Sequence, residues 1–326
     1  MADFPRSLRE FQRQFPDDAA CAEYLASARW PDGFRCPACG KAKAWRLACR
    51  ARFTFVCAAC AKEISVTAGT IMHRSHLPLS VWFWAAYLMA THSNGMSALQ
   101  LQSELGIASY KTAWLLAMKL RRAMVAPGRS PLSGLVEVDE TTIPFRTKDD
   151  PPSGGQGRSH AGKLLVVGAV EIKSGKKARL TLGRRLLAAI RQASRRVRLA
   201  TITDYRSRTL HAFMKDTIAP GSVTKTDGLA SYLDAPNVTH EPHIVGPMAA
   251  HIILPAIHRV FSNLKTWALG VYHGVRRKHL GAYLDEFTFR FNRRKSRHAA
   301  FATLLGIATA IKPVTYKMLI SPGSTG

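Results

Sequence analysis

The chain has 326 residues, enough for two or three domains, and its 47% apolar content excludes wholesale disorder. Lysine and arginine outnumber aspartate and glutamate by 47 to 21, a formal charge of +26, so a polyanion is the natural partner, with nucleic acid ahead of an anionic membrane. The most apolar run, Val81 to Ala90, falls well short of the roughly 18 residues a spanning helix needs; with a charged start, MADFPRSLREFQRQ, that reads as a cytoplasmic protein without a secretory signal.

Residues 1–30 read as a helical lead-in, with Ser7 and Glu10 in the positions of a capping box and Leu8, Phe11 and Phe15 as the apolar side. Two Cys-x-x-Cys pairs follow, Cys36/Cys39 and Cys57/Cys60, separated by 17 residues. That spacing predicts a four-cysteine zinc ribbon. Four thiolates leave no open position for substrate, so the Zn²⁺ is expected to be structural. Cys21 and Cys49 have no partner at ligand spacing and read as buried thiols; His73 and His76 read as structural.

The aromatic run from Leu79 to Ala90 predicts a core helix, which Gly95 ends. Ser97 to Leu105, a turn at Gly106, and Ser109 to Met124 then have helix-turn-helix spacing, with Leu99, Leu105, Ile107, Ala113, Trp114, Ala117 and Leu120 as the apolar set. In a DNA-reading version, Ser109, Tyr110 and Lys111 at the start of the second helix enter the major groove, while Lys119, Arg121 and Arg122 meet phosphates. Two helices that merely pack together would carry the same pattern.

Pro127 to Ser133 is a linker by composition. Beyond it the periodicity turns strand-like at Leu135 to Thr142, Leu164 to Ile172 and Val197 to Asp204, followed by a helix over Thr209 to Asp216 and a short strand, Ser222 to Thr226, ending at Asp227-Gly228. This order predicts a mixed sheet covered by helices. Residues 146–162 read as a loop, and 174–196 as a basic insert of unassigned structure. The last strong pattern is a helix from His258, in which His258 and Lys265 stand seven residues, about two turns, apart on one face; Val260, Phe261, Leu264 and Trp267 to Leu269 supply the apolar contacts.

Asp139 at the end of a central strand and Asp227 just after a later one can converge at one edge of a sheet, with a third ligand coming from a helix. Such a trio holds two divalent cations about 4 Å apart for in-line attack on phosphorus. Glu137, two residues before Asp139 on the same strand face, is an alternative ligand. Asp204, Asp285 and Glu286 are reserve acids or members of structural ion pairs.

The order VDE, TDG, then a helix with ligand and lysine seven apart, behind a zinc ribbon and the segment SVTAGTIMHRSHLPL, resembles the Asp-Asp-Glu superfamily of insertion-sequence transposases. It is most similar to the group in which a zinc ribbon and a helix-turn-helix precede a ribonuclease-H-like domain. The resemblance implies Asp139 and Asp227 as ligands of Mg²⁺ or Mn²⁺, Lys265 as a DNA-contacting lysine, and His258 in the place usually held by Glu. Imidazole favours transition metals over Mg²⁺, which moves the expectation toward Mn²⁺.

The expected architecture is therefore multidomain α+β: lead-in and ribbon over 1–70, helix-turn-helix region over 71–126, catalytic domain over 134–312 and a tail over 313–326. The expected activity is cleavage of element ends and strand transfer on double-stranded DNA, by a homodimer or larger assembly. Arg276, Arg277, Lys278, Arg290, Arg293 and Arg294 would contact phosphates. The alternatives are a DNA-binding regulator that kept the fold without the chemistry, and a structure-selective nuclease.

Overall fold

The computed structural model describes residues 4–47, 53–144, 163–172, 194–243, 253–272 and 275–320. Two compact units divide the chain, one running to Pro127 and taking up the described residues from Arg293 onward, the other running from Gly128 to Asn292. The first unit opens with helices α1, Leu8–Gln14, and α2, Asp18–Arg29. Ser7 caps α1 by accepting the Glu10 N–H, while the Glu10 carboxylate takes the N–H of Arg6, one residue earlier than a reciprocal capping box requires.

A three-stranded antiparallel ribbon follows: β1, Ala44–Leu47; β2, Thr54–Cys57; and β3, Glu63–Ser65. Helix α3, Leu79–Thr91, is the buried spine of the unit, as its aromatic run predicted. No side chain of its own caps it. Asp18 of α2 does so instead, accepting from the N–H groups of Leu79 and Ser80 and from the Ser80 hydroxyl, which ties the two helices together. Helices α4, Ala98–Glu104, and α5, Tyr110–Arg122, are joined through Gly106 at φ +60°, where a left-handed residue closes α4. Leu99, assigned to the apolar side of that pair, is 67% exposed instead.

The chain's last two described helices, α9, Arg297–Ala310, and α10, Tyr316–Ile320, belong to this first unit. Phe301 of α9 stands edge-on to Phe11, Phe15, Phe83 and Tyr87, with centroids 5.6–6.0 Å apart. The second unit accordingly closes at Asn292, where the sequence suggested 312, because the aromatic partners of α9 lie at the other end of the chain.

That second unit is built on a five-stranded sheet: β4, Leu135–Pro144; β5, Lys163–Ile172; β6, Ser194–Ile202; β7, Ser222–Thr226; and β8, Val238–Pro242. Its spatial order is β6-β5-β4-β7-β8, with β4, β5 and β6 antiparallel and β7 and β8 parallel to β4, meeting the ribonuclease-H-like expectation of a mixed sheet. Strand alternation sorts the faces. Val136, Val138, Val167 and Ala169 pack with Leu210, Phe213 and Met214 of α6, Ser207–Thr217. On the other face Val166, Val170, Val197 and Leu199 pack with Ile257, Val260, Phe261 and Leu264 of α7, Pro255–Tyr272, and with Leu284 and Phe287 of α8, Leu280–Asn292.

Strand β8 had no clear signal, because an edge strand reading Val-Thr-His-Glu-Pro buries little and lacks a hydrophobic alternation. The loop 146–162 and most of the basic insert lie outside the described residues, as does Cys49. The insert's last three residues, 194–196, are not insert but the start of β6, held there by Arg195 and Arg196 on the buried Glu171 carboxylate at 3.0 and 2.8 Å. Among the described residues no helix is long and apolar enough to cross a membrane.

Candidate functional site

The cysteines come together first. Two tight turns end in matching backbone bonds, Cys36 N–H to Lys41 O and Gly40 N–H to Cys36 O in one, Cys57 N–H to Lys62 O and Ala61 N–H to Cys57 O in the other. They bring the four sulfurs of Cys36, Cys39, Cys57 and Cys60 within 4.8 Å of one another. The Cys36–Cys60 and Cys39–Cys57 separations are 3.7 and 3.5 Å. A tetrahedral Zn²⁺ with bonds of about 2.3 Å needs sulfurs about 3.8 Å apart, so the donor set fits the ion closely. Backbone N–H groups of Ala59 and Cys60 pull the Cys57 thiol down to about 6, toward the thiolate a metal requires. Cys21 is buried elsewhere, its thiol pushed up to about 12 by burial and the charges of Asp18 and Asp17.

The second cluster is acidic and lies at the sheet. The parallel register Leu135↔Val223, Val136↔Thr224, Glu137↔Lys225, carried two residues further, sets Asp139 beside Asp227 just past the end of β7. Gly228, at φ +87°, turns the chain there, and the Asp227 carboxylate accepts the Leu229 N–H at 3.1 Å. Asp139, Glu140 and Asp227 place carboxylate oxygens within 4.8 Å of one another. Glu140 escaped the sequence reading because alternation sends it to the opposite strand face from Asp139. Only the position of Asp227 beyond its strand lets one residue meet both.

Burial and mutual repulsion raise the proton affinity of the cluster's β4 acids. Asp139 is pushed up to about 8 by burial and by the charges of Glu140, Asp227 and Glu137. Glu140 is raised too, first by burial, although Tyr232 offsets part of that by donating its hydroxyl to Oε2 at 2.5 Å. Tyr232 is fully buried and was not anticipated either; nothing in the segment ASY singles it out. Three crowded carboxylates offer hard oxygen atoms, the donor chemistry that suits Mg²⁺ or Mn²⁺.

Helix α7 meets the cluster from the side. His258 Nε2 is 3.3 Å from Asp139 Oδ2, and Lys265 lies two turns further along the half-buried face. Leu269, grouped with the apolar contacts of this helix, is 49% exposed. Glu137 takes no place in the acidic cluster; its Oε2 accepts the N–H groups of Ala256 and Ile257 at 2.8 and 2.9 Å. The other reserve acids are also in use. Asp204 accepts from the Thr209 hydroxyl and the Arg206 N–H at the start of α6, and Glu286 sits under the Tyr272 hydroxyl and Arg290.

The residues expected to contact DNA divide into two sets. Ser109, Tyr110, Lys111 and Arg122 are exposed, as are Arg276, Arg277 and Lys278, and the Lys111 ammonium rests over the Tyr316 ring at 4.4 Å. Lys119 and Arg121 are corrected, being buried in the first unit rather than open to phosphates. Lys119 lies 5.8 Å from the Trp82 ring, and Arg121, fully buried, reaches Met118 Sδ at 3.5 Å. Arg290 is likewise engaged, 3.5 Å from the buried Glu286 and largely covered. Arg293 and Arg294 are half-buried, and burial lowers both guanidinium groups from their usual range.

Two family descriptions match the chain: a transposase zinc-ribbon domain over residues 16–63 and an ISXO2-like transposase domain over residues 131–292. An uncharacterized protein in transposable element ISH50 of Halobacterium salinarum is 31% identical over 155 residues, which is 46% of this chain and 51% of that protein. The chain thus spans about half the length of the curated relative it matches.

Proposed function

The chain belongs to the insertion-sequence transposases that carry a zinc ribbon, and from that premise we propose that it binds the ends of its own element and performs metal-dependent DNA cleavage and strand transfer. The observation that carries this reading is the closed set of Asp139, Glu140 and Asp227 with His258 at 3.3 Å from Asp139. Asp139, Glu140 and Asp227 would hold divalent cations, which when bound would supply charge neutralisation for an in-line displacement at phosphorus.

Asp139 and Asp227 are the paired ligands, and His258 is the third. Glu140, steadied by the Tyr232 hydroxyl, restores the negative charge that a neutral imidazole lacks. Lys265 contacts a DNA phosphate from the same face of α7. The reaction cuts the phosphodiester at each element end to free a 3′-hydroxyl, which then attacks target DNA. Mn²⁺ supports it better than Mg²⁺ because one ligand is nitrogen.

The four cysteines hold structural Zn²⁺. Ser109, Tyr110 and Lys111 read the terminal repeats from the start of α5, while Arg122, Arg276, Arg277 and Lys278 track phosphates. Pairing two ends requires a homodimer or larger assembly, acting in the cytoplasm. The test incubates the purified chain with element-end DNA and a target plasmid in Mg²⁺ and, separately, Mn²⁺, beside Asp139→Ala, Asp227→Ala and His258→Ala. Cleaved and joined products from the parent and none from the three variants are expected. End binding without cleavage in either metal would instead mark a regulator, and cleavage without joining a nuclease.

A further inference from the structure

The first turn of α7 is accounted for donor by donor. Pro255 has no N–H; Ala256 and Ile257 give theirs to one carboxylate oxygen of Glu137; His258 gives its own to Leu254 O at 3.2 Å. Glu137 comes from the centre of the sheet, 119 and 120 residues away from these partners in sequence. A buried carboxylate on the positive end of an 18-residue helix is a strong, directional tether. It sits two residues before Asp139 on the same strand face, so it fixes the helix start one turn from the acid that His258 must meet.

A second contact sets how closely the helix lies. Gly168 is the ladder partner of Asp139 on β5. A Cβ added there would stand 2.7 Å from Phe261, 2.9 Å from Ile257 and 2.9 Å from Leu199. Ile257 and Phe261 flank His258 on α7, so the missing side chain is what lets this part of the helix come down onto the sheet.

We propose that Glu137 is a positioning residue for the third catalytic position: by holding the first turn of α7 over Gly168, it sets His258 on Asp139, and it is not itself a metal ligand. This rests on reading His258 as a ligand of the catalytic cation. Helix rotation or lift of a single ångström would separate imidazole from carboxylate while leaving the sheet, Asp139 and Asp227 unchanged.

The experiment loads the full chain with Mn²⁺ and reads nitrogen hyperfine coupling by pulsed EPR, together with Mn²⁺ affinity, in the parent and in His258→Ala, Glu137→Ala, Glu137→Gln and Gly168→Ala. The parent should show a coupling that His258→Ala removes. Glu137→Ala should lose the same coupling and bind Mn²⁺ about tenfold more weakly, within the range of a ligand-supporting contact. Glu137→Gln keeps an acceptor oxygen and should retain the coupling; Gly168→Ala should lose it with Glu137 intact, which serves where Glu137→Ala fails to fold. Adding Glu137→Ala to His258→Ala should cost no further affinity, since the first acts through the second. Coupling retained in Glu137→Ala, or losses that add in the double variant, would overturn the proposal. A parent with no nitrogen coupling would overturn it in a different way, by removing His258 from the cation.

Discussion

The ribbon and the acidic cluster both gather side chains whose donor atoms suit a metal ion, yet they hold them by opposite means. In the ribbon the cysteines come from two short turns around a cluster that, among the described residues, comprises Cys36, Cys57 and Ile64, with Trp30, Phe34 and Ala68 packed alongside. Such a core is small for three short strands, and an ion held by the cysteines would contribute directly to the fold. In the acidic cluster the carboxylates come from β4 and the end of β7, fixed by ladders and by two well-filled apolar layers. There the fold stands first and crowds like charges together, and the strain appears as proton affinity. A crowded set of donor atoms is thus a foundation in one unit and a load in the other.

The sharpest way to break that contrast is to remove the metals. Chelation of Zn²⁺, or Cys39→Ser, should unfold the ribbon, since zinc contributes on the order of 10 kcal/mol to folding in sites of this kind. Hydrogen exchange should show residues 30–66 losing protection while β4 to β7 keep theirs. A ribbon that stays protected without metal would mean its apolar contacts suffice.

Next in size is the loss of chemistry without loss of fold. Asp139→Asn should reduce element-end cleavage by at least about 100-fold, more than the loss typical of a supporting contact around a metal ligand. In the metal-free protein it should also raise the melting temperature at pH 9, because it removes a buried negative charge from beside Glu140 and Asp227. A variant that melts lower at that pH would mean Asp139 is stabilised by partners rather than crowded by neighbours.

The same residue gives the pH dependence. Its folded value, about 8, lies above the ordinary 3.8, so between these limits the native state keeps a proton that the unfolded state has released. The metal-free stability it contributes is complete below the ordinary value and is lost as pH rises through about 8. A cation competes for that proton, so Mn²⁺ affinity should fall about tenfold per pH unit below the folded value. Calorimetric titration across pH 6–9 measures both slopes. The ribbon thiols should show no matching loss of stability as pH rises, since deprotonation favours their ion.

Much of this contrast was legible in the residues. The spacing of Cys36, Cys39, Cys57 and Cys60 specifies the ribbon because all four ligands lie close along the chain. Strands β4 and β5 and the α7 pattern were equally readable, since they bury continuous or periodic apolar faces. Glu140 and Tyr232 were not readable, because their meeting depends on where β7 ends relative to β4, a long-range register that no local pattern encodes. Glu137 was legible only as a second possible ligand; its bond to the N-terminus of α7 joins segments some 120 residues apart. Lys119 and Arg121 misled for a related reason. A basic residue on an amphipathic helix reads as surface, but α5 packs its last turns into the unit and buries their long apolar stems.

That misreading yields the smallest effect. Lys111 at the exposed start of α5 and Arg121 at its buried end carry the same charge, so composition alone predicts equal contributions to DNA binding. Their environments predict otherwise. Lys111→Ala should weaken binding across DNA sequences and reduce the slope of log affinity against log salt by about 1, the signature of one lost phosphate contact. Arg121→Ala should leave that slope unchanged and instead lower the melting temperature of the first unit, because it removes the packing of a fully buried side chain. Equal salt slopes for the two variants would mean that Arg121 reaches DNA in the assembled complex and that the end of α5 opens when the chain engages its ends.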